Sequence, residues 1–145
     1  MAGDRDDRQD LERFFELSVD MLAIAGVDGL FRRINPACDA LGYSREELFA
    51  RPFIELAHPD DRAAILAEIS KLATGVPTIR FESRIRRKDG TYRWLSWTCA
   101  PDEGRTTLFA VLRDVTEQKQ LEAERQGVVE RLRELDALKT RLVSH

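Results

Sequence analysis

The chain has 145 residues, with 23 Lys and Arg against 26 Asp and Glu and a formal net charge of -3. That length suits one domain plus an appendage, and the charge balance gives no reason to expect nucleic acid or an anionic membrane as partner. No apolar run approaches the roughly 20 residues of a membrane span. Met1 to Asp10 is polar and charge-rich, unlike a secretory signal, and is expected to be disordered. From Leu11 the pattern turns helical. Leu11, Phe14, Phe15 and Leu17 recur at helical spacings between Glu12, Arg13 and Glu16, which predicts an amphipathic helix over 11–18. This helix is a natural lid for an exposed sheet face.

Met21 to Gly26 and Leu30 to Ile34 read as two strands joined by the turn Val27-Asp28-Gly29. Asn35-Pro36 has the form of an N-cap followed by a first-position proline, opening a helix that stops at Gly42. Ser44 and Glu47 form a capping box for a second short helix. After a connector carrying Pro52, Phe53, Ile54 and Leu56, the run His58-Pro59-Asp60-Asp61 suits a helix N-terminus, with two acids at the positive end of the dipole. The helix that follows carries Ile65, Leu66, Ile69 and Leu72 on one face. Thr78 to Arg87 alternates Ile79, Phe81, Ser83 and Ile85 against arginines and Glu82.

Two further strands flank the turn at Asp102 to Arg105, after a first turn at Asp89-Gly90. Neither strand has a polar face. Leu95, Trp97 and Cys99 oppose Tyr92, Trp94, Ser96 and Thr98, and Leu108, Ala110 and Leu112 oppose Phe109 and Val111. Such a sheet is expected to be covered on both sides, by its own core on one and by a helix or a partner chain on the other. Two strands, several short helices and three strands make an α+β layout: a five-stranded antiparallel sheet with helices packed on one face.

Beyond Val115 the composition changes. Asp114 to Glu117 is another capping-box pattern, and from there to His145 there is no Pro and one Gly, Gly127. Leu121, Val128, Leu132, Leu135 and Leu142 recur at spacings of seven, four, three and seven. This heptad-like seam predicts a parallel two-stranded coiled coil about 45 Å long. A single charged helix folding back on its own domain is the alternative. Arg125 and Gly127 weaken the upper seam.

Several short motifs, met in order, carry a resemblance. They are Phe15-Glu16-Leu17-Ser18 with Asp20, Asp28-Gly29, Ile34-Asn35-Pro36-Ala37, Leu41-Gly42-Tyr43-Ser44 with Glu46-Glu47-Leu48, and His58-Pro59-Asp60-Asp61. Lys88-Asp89-Gly90 with Tyr92-Arg93-Trp94, and Arg113-Asp114-Val115-Thr116-Glu117, complete the set. Together they resemble a PAS sensory domain over the run from about Leu11 to Lys119, with the domain itself at 19–116. The resemblance implies a five-stranded sheet that cradles a small pocket with its helices. It also implies that Asp114, Val115 and Thr116 form the joint where the sensor hands its signal to the output helix, 117–145. Leu135 to His145 resembles the lead-in to the dimerisation helix of a sensor histidine kinase, in a bacterial two-component system; the alternatives are a PAS dimerisation and relay module without ligand, or one controlling a different output such as a cyclic-dinucleotide enzyme. By register the phosphoacceptor histidine then falls beyond His145, which stands shortly before that slot.

The expected pocket walls are Ile24, Ile34, Phe53, Ile54, Ile65, Ile69 and Phe81. The expected dimer contacts are Leu11, Phe14 and Phe15, with Leu121, Val128, Leu132, Leu135 and Leu142 on the tail. The expected partners are a second copy of the chain, a downstream kinase domain and a response regulator. Haem and flavin-adduct chemistry are disfavoured. Ile65 stands near the position where haem-binding relatives carry their histidine, and the connector Arg51-Pro52-Phe53-Ile54 lacks the reactive cysteine of light-sensing relatives. No metal site is expected, because His58 has no other His or Cys near it in sequence and reads as a loop and cap residue. Cys38 and Cys99 read as small core residues in a reduced cytosolic setting. A Gly-rich phosphate loop, Gly-x-Ser-x-Gly and His-Glu-x-x-His are all missing, so this segment carries no catalytic constellation of its own.

Overall fold

The computed structural model describes residues 2–143. The chain divides into two units, one ending at Asp114 and the other beginning at Val115. The first holds α1 (Ala2–Leu17), β1 (Met21–Gly26), β2 (Phe31–Ile34), α2 (Arg45–Phe49), α3 (Arg62–Ala73), β3 (Thr78–Arg86), β4 (Tyr92–Pro101) and β5 (Thr107–Asp114). Three 3-10 turns, Pro36–Leu41, Phe53–Leu56 and Pro59–Asp61, punctuate the helical stretch between β2 and β3. The second unit holds α4 (Thr116–Val143), described residue by residue as one helix.

The five strands form one antiparallel sheet in the order β2-β1-β5-β4-β3. The helical stretch packs on one face of it, as expected of this layout. Met21, Ala23, Ala25, Leu95, Cys99, Leu108 and Leu112 point from the sheet into the core, against Ile34, Leu41, Leu48, Phe53, Leu56, Ile65 and Leu72. Turn chemistry follows the sequence. Gly29, Gly42 and Gly90 take left-handed φ values of 85°, 84° and 89°, where a side chain would be strained. Ser44 and Glu47 form the reciprocal capping box.

Four departures from these expectations stand out. Residues 2–10, expected to be disordered, continue α1 upstream of Leu11. An existing turn of helix extends at little cost, and Asp4 sits in the first turn with Arg8 four residues on. On β3, alternation fails at its start. A bulge between Thr78 and Phe81, with Arg80 at φ 52°, turns Thr78 inward and leaves Ile79 69% exposed. On α3, Leu66 is also exposed, while Ile65 and Leu72 are buried.

Asn35 is the fourth departure. Its side chain makes no cap hydrogen bond to the turn that follows it. Instead it is fully buried and faces backwards along the chain. Its Oδ1 accepts from the Leu22 N–H at 2.9 Å, and its Nδ2 donates to the Phe15 and Asp20 carbonyls at 3.1 and 3.0 Å. One amide thereby receives a free carbonyl at the end of α1 and fixes the connector to β1. Farther up α1, Arg33 pairs with Glu12 and lays its guanidinium 4.5 Å from the Phe15 ring centre. Phe15 is half-buried, but Leu11, Phe14 and Leu17 remain exposed, so α1 does not act as the expected lid.

Asn35→Asp keeps the shape and reverses the chemistry, setting a carboxylate against two carbonyls. The variant should lose about 3 kcal/mol of stability at pH 7. The loss should be smaller near pH 4, where the buried acid is neutral and can donate. Urea unfolding at the two pH values measures both.

Candidate functional site

Between the sheet and α3 lies a cavity of about 40 Å³. Its sheet wall is built of small residues, Ala23, Ala25 and Ala110, with Cys99 and Leu108 beside them. Phe31, Phe53, Phe81 and Trp97 supply the bulk around the void, and Ile65, Ile69 and Leu72 of α3 close it. The Phe53 ring stands 5.6 Å from Phe31 and 6.0 Å from Trp97, an aromatic row along the cavity lining. The cavity is far below the roughly 300 Å³ of ordinary small-molecule sites.

Polar groups reach it sparingly. Glu68 and Thr78 meet at its margin, where the Thr78 hydroxyl donates to Glu68 Oε2 at 2.9 Å. Lys71 holds the same carboxylate at 2.8 Å, and these hydrogen bonds keep its pKa below the usual range. The Trp97 indole Nε1 is buried and has no hydrogen-bond partner among the described residues. Burial raises the Cys99 thiol to about 11, so it stays protonated and unreactive. Cys38, away from the cavity, is pushed up to about 11 by the same cause.

Of the residues expected to line the pocket, Phe53, Ile65, Ile69 and Phe81 do. Ile34 and Ile54 belong to the surrounding core without reaching the void. Ile24 is a correction. It pairs with Phe109 in register, one step out of phase with inward Ala23 and Ala25, so it stands on the opposite face. Leu22 and Ile24 of β1 point outward and Ala23 and Ala25 inward, which is what leaves room for a void. The outer face also carries Phe109 and Val111, 48% and 40% exposed.

The expected signal joint lies at the end of β5. Asp114 Oδ2 accepts from Arg93 Nε of β4 at 2.7 Å, a charged clamp across the last paired residues of the sheet. Val115 and Thr116 are buried beside it in sequence. Arg93 was legible only as part of a motif. Its partner lies 21 residues away, and no local spacing reveals such a pair.

A second clamp holds α3 in place. Arg84 of β3 grips Asp61 with two side-chain hydrogen bonds of 2.7 and 3.0 Å, and its backbone N–H adds a third at 2.7 Å. Beside it His58 Nδ1 accepts from the Asp60 N–H at 3.1 Å, and its ring rests 4.9 Å from Tyr92. The histidine therefore serves as a cap for its turn. Of Leu135 to His145, the stretch expected to resemble a kinase lead-in, Ser144 and His145 lie outside the described residues. On α4 itself Leu121, Val128, Leu132, Leu135 and Leu142 are all exposed, and Leu138, which the heptad count passed over, is exposed as well.

This arrangement of an antiparallel sheet, short helices over one face and a cavity between them has relatives. The chain matches the family described as PAS fold over residues 32–110, and it belongs to that family. It is 32% identical over 123 residues to a probable diguanylate cyclase, DgcE, of Escherichia coli. That match covers 81% of this chain but only 11% of the relative's length. Among solved structures it resembles the PAS domain of an HTR-like protein from Haloarcula marismortui, with TM-score 0.64 and 26% identity. The likeness covers 76% of this chain and 98% of that one. A domain of a sensory box sensor histidine kinase/response regulator from Geobacter sulfurreducens superposes with TM-score 0.67 at 23% identity, over 74% and 94% of the two chains. Among the described residues no helix is long and apolar enough to cross a membrane.

The Arg84 guanidinium holds the Asp61 carboxyl below the usual carboxylate range. A depressed folded value adds stability at neutral pH, and it is lost as pH falls from about 4, the unfolded value, through the folded one. Asp61→Asn should therefore be less stable than the parent at pH 7. The gap should narrow below about pH 4. Thermal unfolding across that range tests the sign, and a gap that stays constant to pH 2 would assign the loss to packing instead.

Proposed function

We propose that this chain is the sensory and dimerisation module of a cytoplasmic two-component histidine kinase. The observation that carries the reading is α4 with its exposed leucine seam, a single helix that takes in Leu135 to Val143 of the stretch resembling a kinase dimerisation lead-in. A second copy of the chain covers the seam as a parallel coiled coil, with Leu11, Phe14 and Phe15 of α1 as a further contact. The kinase domain follows in the same protein, and a response regulator takes the phosphoryl group. Nucleic acid and membrane have no part in this segment.

In this reading the PAS core works as a mechanical relay that needs no cofactor. The apolar walls and the size of the cavity support it, since haem and flavin need far more room. Repacking around Phe53 and Trp97 shifts the sheet, the strain reaches the Arg93–Asp114 clamp, and α4 repacks against its partner. Such a relay requires two states close in energy, each bound differently by the stimulus. A second reading has its own support. The 32% identical relative is a probable diguanylate cyclase, and a coiled coil can set the pairing of cyclase domains as readily.

The two outputs differ in product. The whole protein, with the residues encoded after His145, should label itself with ATP at an acid-labile, base-stable phosphohistidine. Conversion of GTP to a cyclic dinucleotide without self-labelling would replace the kinase by the cyclase. The dimer is tested apart from either. Leu132→Ala with Leu135→Ala should shift the 145-residue chain towards its 16.6 kDa monomer in light scattering. An unchanged dimer overturns the coiled coil.

A further inference from the structure

We infer that α1 is a second input to the joint, acting along the sheet margin and bypassing the cavity. The inference rests on the reading of Asp114 to Thr116 as a joint, but on neither choice of output enzyme. Its starting point is Asp20, which is bound from both sides. Its backbone carbonyl accepts from the Asn35 amide at 3.0 Å and from the Ser18 hydroxyl at 3.1 Å. Its carboxylate Oδ2 accepts from Arg113 Nη2 at 3.3 Å. Arg113 is the neighbour of Asp114, whose own carboxylate is held by Arg93 at 2.7 Å.

Sheet register explains the meeting. Met21 pairs with Leu112, so the entry of β1 and the exit of β5 lie side by side. The route therefore runs from the Phe15 carbonyl through Asn35 to Asp20, then to Arg113 and Asp114. At the far end Glu12 and the Phe15 ring are tied to Arg33. None of these residues lines the cavity. A push on α1 moves the Ser18–Asp20 connector and pulls on Arg113, in competition with the pull of Arg93 on its neighbour. An element upstream of α1 can thus bias the joint while the core stays as it is.

Spatial continuity alone does not establish coupling, so the test measures coupling directly. Hydrogen exchange of the 145-residue chain, read by mass spectrometry, compares Arg33→Gln, Arg113→Gln and both together. Arg33→Gln frees α1 far from the joint. It should speed exchange in residues 115–119 by about two- to fivefold, the scale of one exposed ion pair. Arg113→Gln should speed residues 14–18 by a similar factor, because coupling is reciprocal. In the double variant the logarithms of the two effects should fall short of their sum. Ile69→Val, which loosens only the cavity wall, records what general loosening looks like. The inference is overturned if Arg33→Gln accelerates 14–18 alone, if the effects add, or if the acceleration spreads over the chain as in Ile69→Val. Failure of the output reading shows separately, in the ATP and GTP assays.

Discussion

The buried amide of Asn35 is the constraint from which the rest of this fold can be followed. An amide taken out of water without partners costs several kcal/mol on transfer to an apolar medium, of order 4–8. Here it is satisfied only if the end of α1, the Asp20 connector and the start of β1 stand where they do. Leu22 and Asn35 exchange backbone and side-chain bonds across the first hairpin, so β1 and β2 are fixed in register by the same group. The register of β1 then sets which of its residues face inward. Because two of those, Ala23 and Ala25, are alanines beside the cavity, the core keeps a void.

That sequence of causes explains what the residues alone could and could not reveal. Local chemistry was legible: the Asp-Gly turns, the glycine after the first 3-10 turn, the Ser44 capping box and the helical order between β2 and β3 all follow from residues within a few positions of one another. Asn35 was not, because an Asn before Pro has the form of a cap, and its real partners lie 13, 15 and 20 residues away. Arg93 with Asp114, and Asp20 with Arg113, escape for the same reason. Of the site, four of seven expected wall residues reach the cavity, and the alanines that create it give no signal of their own.

Parity failed in a different way. β1 is apolar at every position, so alternation cannot say which face is which, and size misleads because the bulky Leu22 and Ile24 look like core. β3 begins with a bulge, and a single extra residue exchanges the faces of everything before it. Thr78 and Ile79 are both plausible strand residues, so nothing local marks the extra one. What distinguishes them is tertiary: Thr78 finds Glu68 as an acceptor, and Ile79 finds solvent.

The proposed relay and the proposed dimer are one physical statement. A helix of 28 residues is about 42 Å long, and an isolated helix gains little from propensity alone. The leucines of α4, half or more exposed, contribute to stability only when another surface covers them. Their stripe is narrow, as a two-stranded seam requires and a globular core does not. Pairing along such a seam is sensitive to rotation, because a small turn of the helix carries leucines out of the contact and charges into it. In the proposed coiled coil, a shift at the end of β5, where Arg93 clamps Asp114, can therefore alter pairing over the whole length with a movement of one or two residues. In that proposed coiled coil Arg125 and Gly127 interrupt the seam near its start, which makes that end the weaker one and the one where the least work changes the pairing.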